Sequence, residues 1–381
     1  MAERTNNFKT LNVGLIGYGG IARVHAMAMA LSPVLQENEK VFPTISQLYS
    51  VDPVPDYMKT ILTDSLDQVI NDPCIDLIDI CTPNFTHAEI AEKALKNGKS
   101  VFLEKPIALN ADQAKELCKV AAECGKLNQT GFIYRFMPGV IGLREQIKAG
   151  TIGDIIDFKI AAYHSSYLNV NRPLGWNLKK ETSGGGPILD LGIHLFDVVR
   201  FVLGEVSAVH SFGDTVVKKR PRFAGSNELL PVDVEDWARI NLRLTSGVQG
   251  IVEVSRVSPR FKEKTCISIN GTKGRLTFNV EEPFTLHHFN YYEKVEMCFN
   301  YSPETNFGRF VCEYYPGTSK LNWFMNCQYT CLWSFYKSII EGRKLYDELP
   351  DFTEGLKSQL IVEAAYKSLN DGMEYSVGVA I

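Results

Sequence analysis

The chain has 381 residues, long for a single core, so two domains are the first expectation. Hydrophobic residues at 45% and charged residues at 22% match an ordinary globular enzyme, and a formal net charge of -4 argues against nucleic acid or an anionic membrane as partner. Nine cysteines, an odd number without a CxxC pair, argue against a disulfide framework and point to a reducing cytoplasm.

Met1 to Thr10 is polar, and no apolar run reaches the length of a membrane span. Leu11 to Ile16 is a short apolar run of the kind that forms a buried parallel strand. It leads into Gly17, Tyr18, Gly19, Gly20, Ile21 and Ala22, a GxGxxA fingerprint, and then a helical stretch from Arg23 to Leu31. The first glycine makes the tight turn, the second admits a pyrophosphate, and Ala22 permits close helix–strand packing. Strand, fingerprint and helix in this order predict a dinucleotide site.

Ser32 to Pro43 reads as an inserted loop, with the second strand over Ser46 to Val51 and Asp52 at its end. An acid there accepts bonds from ribose hydroxyls and repels a 2′-phosphate, favouring NAD over NADP; the alternative is a turn residue before Pro53. Pro53 and Pro55 leave little room for a full second helix. A capped helix from Ser65 comes next, then a strand over Ile75 to Cys81 that ends at Thr82, Pro83 and Asn84. Thr86 to Glu89 has capping-box spacing, Gly98 stops that helix, and the strand Lys99 to Leu103 closes on Glu104, Lys105 and Pro106. This alternation predicts a doubly wound parallel sheet, with Thr82, Asn84 and Lys105 at the strand ends where ligands bind.

After Gly153 the pattern changes to strands over 155–163, 206–217, 238–244, 248–254, 266–269 and 275–279, the last two joined by a turn at Asn270 to Gly274. Between the first of these and the second lie Tyr163, His164, Tyr167, Asn169, Arg172 and Trp176, a mixture suited to apolar ring faces and hydroxyl edges. Gly184, Gly185 and Gly186 follow and lead through Pro187 into a helix bearing Asp190 and His194. At i and i+4 the carboxylate orients the imidazole for proton transfer, or the pair only stiffens a buried helix. Cys327 and Cys331 have helical spacing without a nearby His and read as core thiols; no metal site is expected.

The segments GLIGYGGIA, CTPNFTH, LEKPIAL, GFIYRFMP, GGGPILDLGIHLFDVVRFVLG and INGTKGRLTF together resemble the Gfo/Idh/MocA oxidoreductase family, and the likeness continues through LWSFYKSIIEG to the closing helix. The resemblance implies a Rossmann domain, residues 1–130, followed by an α+β domain, 131–381. The second has a large open, mainly antiparallel sheet backed by helices, and its last helix returns to the first domain. It implies catalytic Lys105, Asp190 and His194. A cofactor lining of the fingerprint residues, Asp52, Thr82, Pro83, Asn84, His87, Glu104 and Lys105 is implied too, with Arg135 near both nicotinamide and substrate. A cis bond at Lys105–Pro106 is expected on the same ground.

The activity implied is hydride transfer between NAD, or NADP, and a carbinol carbon of a sugar, cyclitol or related polyol. Trp176, Lys105, Arg135, Asp190 and His194 are then the substrate contacts. Lys105 and His194 both remain candidates for the base. The alternatives are an NAD-dependent glycoside hydrolase of the same family and a non-catalytic NAD sensor. A sheet open on one face predicts a homodimer or homotetramer.

Overall fold

The computed structural model describes residues 9–36, 38–259, 264–317 and 321–378. Its first sheet holds β1 (Lys9–Ile16), β2 (Val41–Tyr49), β3 (Leu77–Ile80), β4 (Ser100–Leu103) and β5 (Asn128–Thr130). All pairs are parallel, in the order β2-β1-β3-β4-β5. Val13, Leu15, Leu77, Ile78, Val101 and Phe102 are fully buried, as strands covered on both faces must be. The helices are α1 (Gly20–Leu35), α2 (Leu66–Asn71), α3 (His87–Lys96) and α4 (Ala111–Cys124). In this order the chain reverses direction between β1 and β3, which opens a crevice at their carboxyl ends.

Two details differ from the sequence reading and one agrees with it. The helix after the fingerprint runs to Leu35 with Pro33 inside it, and β2 begins at Val41, so no long loop separates them. Between β2 and α2 the chain makes only a short 3₁₀ turn, Asp56–Ile61, in keeping with the two prolines. Thr86 caps nothing with its side chain. Its hydroxyl donates to Thr82 Oγ1 at 2.7 Å and to the Pro83 carbonyl at 2.9 Å, so the capping box is not formed.

After α5 (Pro138–Lys148) comes β6 (Ile155–Tyr163), then the four-residue α6 (Lys180–Ser183) and α7 (Ile193–Leu203). The remaining strands are β7 (Val206–Asp214), β8 (Lys219–Pro221), β9 (Leu229–Pro231), β10 (Trp237–Leu244), β11 (Gln249–Ser255), β12 (Lys264–Gly271), β13 (Gly274–Asn279), β14 (Thr285–Asn290), β15 (Val295–Asn300) and β16 (Tyr375–Ser376). Apart from the β8–β9 ribbon they join β6 in a nine-stranded sheet, order β15-β14-β13-β12-β6-β11-β10-β7-β16. Every pair in it is antiparallel except β6 with β11. Its inner face buries Phe158, Ile160, Ile240, Val252, Ile267 and Leu276. Its outer face exposes Phe212 and Trp237 beside Arg239, Lys159 and Glu253, which are ion-paired.

The last helices are α8 (Asn306–Tyr314), α9 (Trp323–Glu341) and α10 (Phe352–Asp371). α9 packs on α1, and α10 spans α4 of the first sheet and β7 of the second, so the two sheets share a core. None of the nine cysteines is bonded to another, and Cys327 and Cys331 are buried in α9. Among the described residues no helix is long and apolar enough to cross a membrane.

Candidate active site

One cavity of about 830 Å³ runs from the end of β1 to the start of α7. Gly17, Tyr18, Gly19, Gly20 and Ile21 form its first wall. Gly17 has φ +91°, and a Cβ there would lie 2.7 Å from the Cys81 carbonyl oxygen, so glycine is required by both conformation and space. At Gly19 and Gly20 a Cβ would meet nothing within 4 Å, because both face the opening. The start of α1 has no side-chain cap and no acid in its first turn. Its amides are left for an anion, which is the donor set a pyrophosphate needs. Ala22 lies fully buried behind this wall, as close helix–strand packing requires. Tyr49, Ser50, Val51 and Asp52 form the rim.

Thr82, Pro83, Asn84, His87, Glu104 and Lys105 line the middle of the cavity. The His87 ring is buried, with Nδ1 2.6 Å from the Pro106 carbonyl oxygen and Nε2 2.8 Å from that of Thr82. Its polar atoms therefore tie the β3 and β4 ends together. The Lys105–Pro106 bond is cis. Asn84 Nδ2 donates to the Ser183 carbonyl at 2.7 Å, joining this wall to the glycine run.

At the far end Lys105 Nζ donates to the Asp190 carbonyl oxygen and to Asp190 Oδ1, both at 2.8 Å. Burial pushes the Asp190 carboxyl up, but the Lys105 and Arg256 charges overcome it and hold the group well below the usual carboxylate range. Its side chain is 42% accessible, and that surface opens into the cavity. His194 lies between the edges of Phe132 and Tyr134, with ring centroids 6.0 and 5.4 Å away. Burial first, then the Lys105 charge, push its imidazole down to about 3, against the pull of Glu104 and Asp190. Its Nδ1 is buried without a partner among the described residues, so Nε2 is the nitrogen left for the cavity.

This corrects the expected Asp190–His194 hydrogen bond. Ile188–Gly192 forms a π turn, and regular α-helix begins only at Ile193. The two residues therefore do not share a continuous α-helical face, and the carboxylate is bonded to Lys105. The glycine run is also explained: a Cβ on Gly185 would strike the Tyr366 hydroxyl, and one on Gly186 the backbone of Glu235. What comes close there is α10 and the Glu235 loop.

Arg135, expected beside cofactor and substrate, is not among the lining residues. Its buried guanidinium bonds Asp197 Oδ2 and Oδ1 at 2.8 and 2.6 Å, Glu354 Oε2 at 2.6 Å and the Glu348 carbonyl at 2.9 Å. Trp176 does line the cavity, 43% exposed, and so does His164. Tyr134, Asn177, Arg256, Trp323, Phe324 and Gln328 complete this end, and the sequence reading missed them. They come from four separated segments; only Tyr134, inside GFIYRFMP, lay within a recognised motif.

A parallel sheet with an open glycine turn at its switch point, and proton-handling side chains in the same cavity, defines a dinucleotide-dependent oxidoreductase. The family model described as "Oxidoreductase family, NAD-binding Rossmann fold" matches residues 11–132, and "GFO/IDH/MocA C-terminal domain" matches 140–277. Levoglucosan dehydrogenase of Pseudarthrobacter phenanthrenivorans is 30% identical over 290 residues, 72% of this chain and 74% of that protein. The scyllo-inositol 2-dehydrogenase (NAD(+)) of Bacillus subtilis is 31% identical over 55% of this chain, and the match spans little more than half its own length, 56%. A solved levoglucosan dehydrogenase in complex with NADH and L-sorbose superposes with TM-score 0.87 at 27% identity, over 97% of this chain and 100% of that one. The chain belongs to the Gfo/Idh/MocA family of NAD-binding oxidoreductases.

Proposed function

We propose that this enzyme oxidises a secondary hydroxyl of a sugar, cyclitol or anhydrosugar with NAD, and that Lys105, Asp190 and His194 carry the proton chemistry. The observation that bears this reading is the Lys105–Asp190 pair facing His194 in the same cavity as the open glycine turn. NAD, when bound, supplies the hydride acceptor. Gly17, Gly19 and Gly20 with the free amides of α1 suit its pyrophosphate, and Thr82, Pro83, Asn84, His87 and Glu104 stand along the rest of its path. Asp52 at the rim disfavours a 2′-phosphate, so NAD is the preferred form.

The residue roles follow from charge. Lys105, ion-paired with Asp190, is a cation and donates to the substrate oxygen, steadying negative charge as the proton leaves. A cation accepts no proton, so that task falls to neutral His194 through Nε2. Asp190 and Glu104 then favour the imidazolium as it forms. Trp176, Tyr134 and Trp323 offer ring faces, while Asn177, His164 and Gln328 offer hydrogen bonds, a lining suited to a polyhydroxylated ring. Arg256 alone supplies a guanidinium among the lining residues, too little for a phosphorylated substrate.

Residues 1–130 are taken as the cofactor part and 131–381 as the substrate part. The outer face of the nine-stranded sheet, with Phe212 and Trp237, is taken as a contact between copies in a homodimer or homotetramer. Nine unpaired thiols favour the cytoplasm. The test is a screen of inositols, aldoses and anhydrosugars with NAD and NADP, following the absorbance of the reduced cofactor. NADH should accumulate mole for mole with product. A relative from Escherichia coli, 32% identical over 57% of this chain, is a 2,7-anhydro-N-acetylneuraminate hydratase. Product without net NADH would therefore replace the dehydrogenase reading.

A further inference from the structure

Beneath the cavity lies a buried pair, His25 and Asp79, that the proposed chemistry does not use. His25, on α1, and Asp79, on β3, are fully buried. His25 Nδ1 is 2.9 Å from Asp79 Oδ2 and 3.2 Å from Cys81 Sγ, and its Nε2 is 3.1 Å from Glu104 Oε1. Both ring nitrogens thus face carboxylates, an arrangement that a doubly protonated ring satisfies with both acids ionised. Burial opposes the charge, but Asp79 raises the imidazole well above its ordinary value. Glu104 is pushed up by burial and brought below its ordinary value by His25 first and Lys105 second. A Cβ on Gly131 would lie 2.7 Å from Glu104 Oε1, so the chain leaves that carboxylate its space. Glu104 Oε2 accepts from the Lys105 backbone amide at 3.3 Å.

The donor atoms of His25, Asp79 and Cys81 lie within 4.8 Å of one another, close enough for an ion. A cation there would have to displace the proton that His25 Nδ1 shares with Asp79.

We propose that His25 is a positioning residue: a buried imidazolium that keeps Glu104 ionised and fixed at the cavity floor, beside Lys105 and His194. It thereby links the helix that begins at the glycine turn to the strand end that carries the lysine. Without it two buried acids would share one site, and one of them would take up a proton. Glu104 would then no longer favour the cation on Lys105 or the imidazolium forming on His194. Asp79, Cys81, Glu104 and, on α9, Cys331 surround His25, with the Phe102 ring edge-on at 5.4 Å; Lys105 and His194 face Glu104, and Tyr336 faces Asp79 and Cys81.

The inference rests on the dehydrogenase reading for its kinetic arm only. In His25→Gln, kcat should fall about tenfold at neutral pH and recover as pH rises through the raised range of the freed carboxyl. The wild type should show no such acid limb. Glu104→Gln should be slow without that limb, and the double variant no slower than Glu104→Gln alone. A His25→Gln profile parallel to wild type, or losses that multiply in the double variant, would overturn the proposal. The second arm needs no variant to fold and no substrate: ring-nitrogen NMR of the seven histidines in wild type. One buried ring should remain an imidazolium at a pH where an ordinary histidine is neutral. All seven rings neutral at that pH would sink the idea even if the enzyme's substrate were misidentified.

Discussion

Two of the clusters that pair basic side chains with carboxylates contrast sharply. Lys105 and Asp190 meet on a cavity wall, where Asp190 keeps accessible surface and Lys105 retains donor capacity beyond the pair. Arg135, Asp197, Arg200 and Glu354 meet behind that wall. There Arg135 spends its donors on Asp197, Glu354 and Glu348, while Arg200 bonds Glu205, Glu354 and the Ser358 hydroxyl. The first cluster has bonding left for a ligand. The second has used its own up in holding α7, α10 and the turn after β5 together. Charge and residue type alone do not separate a site from a strut; unspent hydrogen-bonding capacity on an open surface does.

The sharpest way to break the contrast is Arg135→Met. It leaves Asp197 and Glu354 buried beside a lost partner and should cost about 3–5 kcal/mol of stability. The denaturant midpoint should fall steeply, while kcat per folded molecule stays near wild type. A stable variant with lost activity would return Arg135 to the site.

Lys105→Met and His194→Asn should behave in the opposite way. Each should lower kcat by ~10²-fold, about 2.7 kcal/mol, with melting temperature and NAD affinity, read by calorimetry, close to wild type. If His194→Asn instead melts early and retains full turnover per folded molecule, the α7 start is only packing.

Asp52 sharpens the cofactor end. Repulsion and lost ribose bonding should favour NAD over NADP by about 1–3 kcal/mol in kcat/KM. Asp52→Ser should bring the two cofactors closer together, and equal values in the wild type would make Asp52 a turn residue.

The smallest effect concerns pH. His194 is held neutral down to about 3 by burial and Lys105, and neutral is the form in which the proposed mechanism uses it. Lowering the pH from about 8 to about 5 should therefore leave kcat/KM flat, where an ordinary imidazole base would lose about tenfold per unit below about 6.5. The depressed imidazole also has a stability consequence with a definite sign. Its contribution is present above the unfolded value near 6.5 and is lost as the pH falls toward about 3. An acid limb near pH 6.5 would show that substrate binding or Asp190 restores the basicity of His194.

Much of the frame was legible because it rests on local chemistry. The run Leu11 to Ile16 with GxGxxA specifies a strand, a left-handed glycine and a helix start within about a dozen residues. The hairpin at Asn270 to Gly274 and the alternation in β10 and β12 are equally local. Strand ends and the glycine-led helix pointed to Lys105, Asp190 and His194, the resemblance to Gfo/Idh/MocA proteins added Glu104, and the fold does bring all four to one cavity. Partnership was not legible. Spacing of four suggested that Asp190 serves His194, but the π turn gives it to Lys105. Motif membership suggested that Arg135 meets a ligand, but α7 and α10 deliver two acids that take it. β14 and β15 went unseen.

By itself, then, the chain decided where the turns, strand ends and backbone donors fall, since those depend on neighbours a few residues apart. Only tertiary structure decided which carboxylate meets which cation, and whether a charged group faces a cavity or a core. Residues as far apart as Arg135 and Glu354, or His25 and Glu104, meet through the packing of separate elements. The strength of an ionic hydrogen bond depends on the distance and desolvation set there, neither of which is written in sequence spacing.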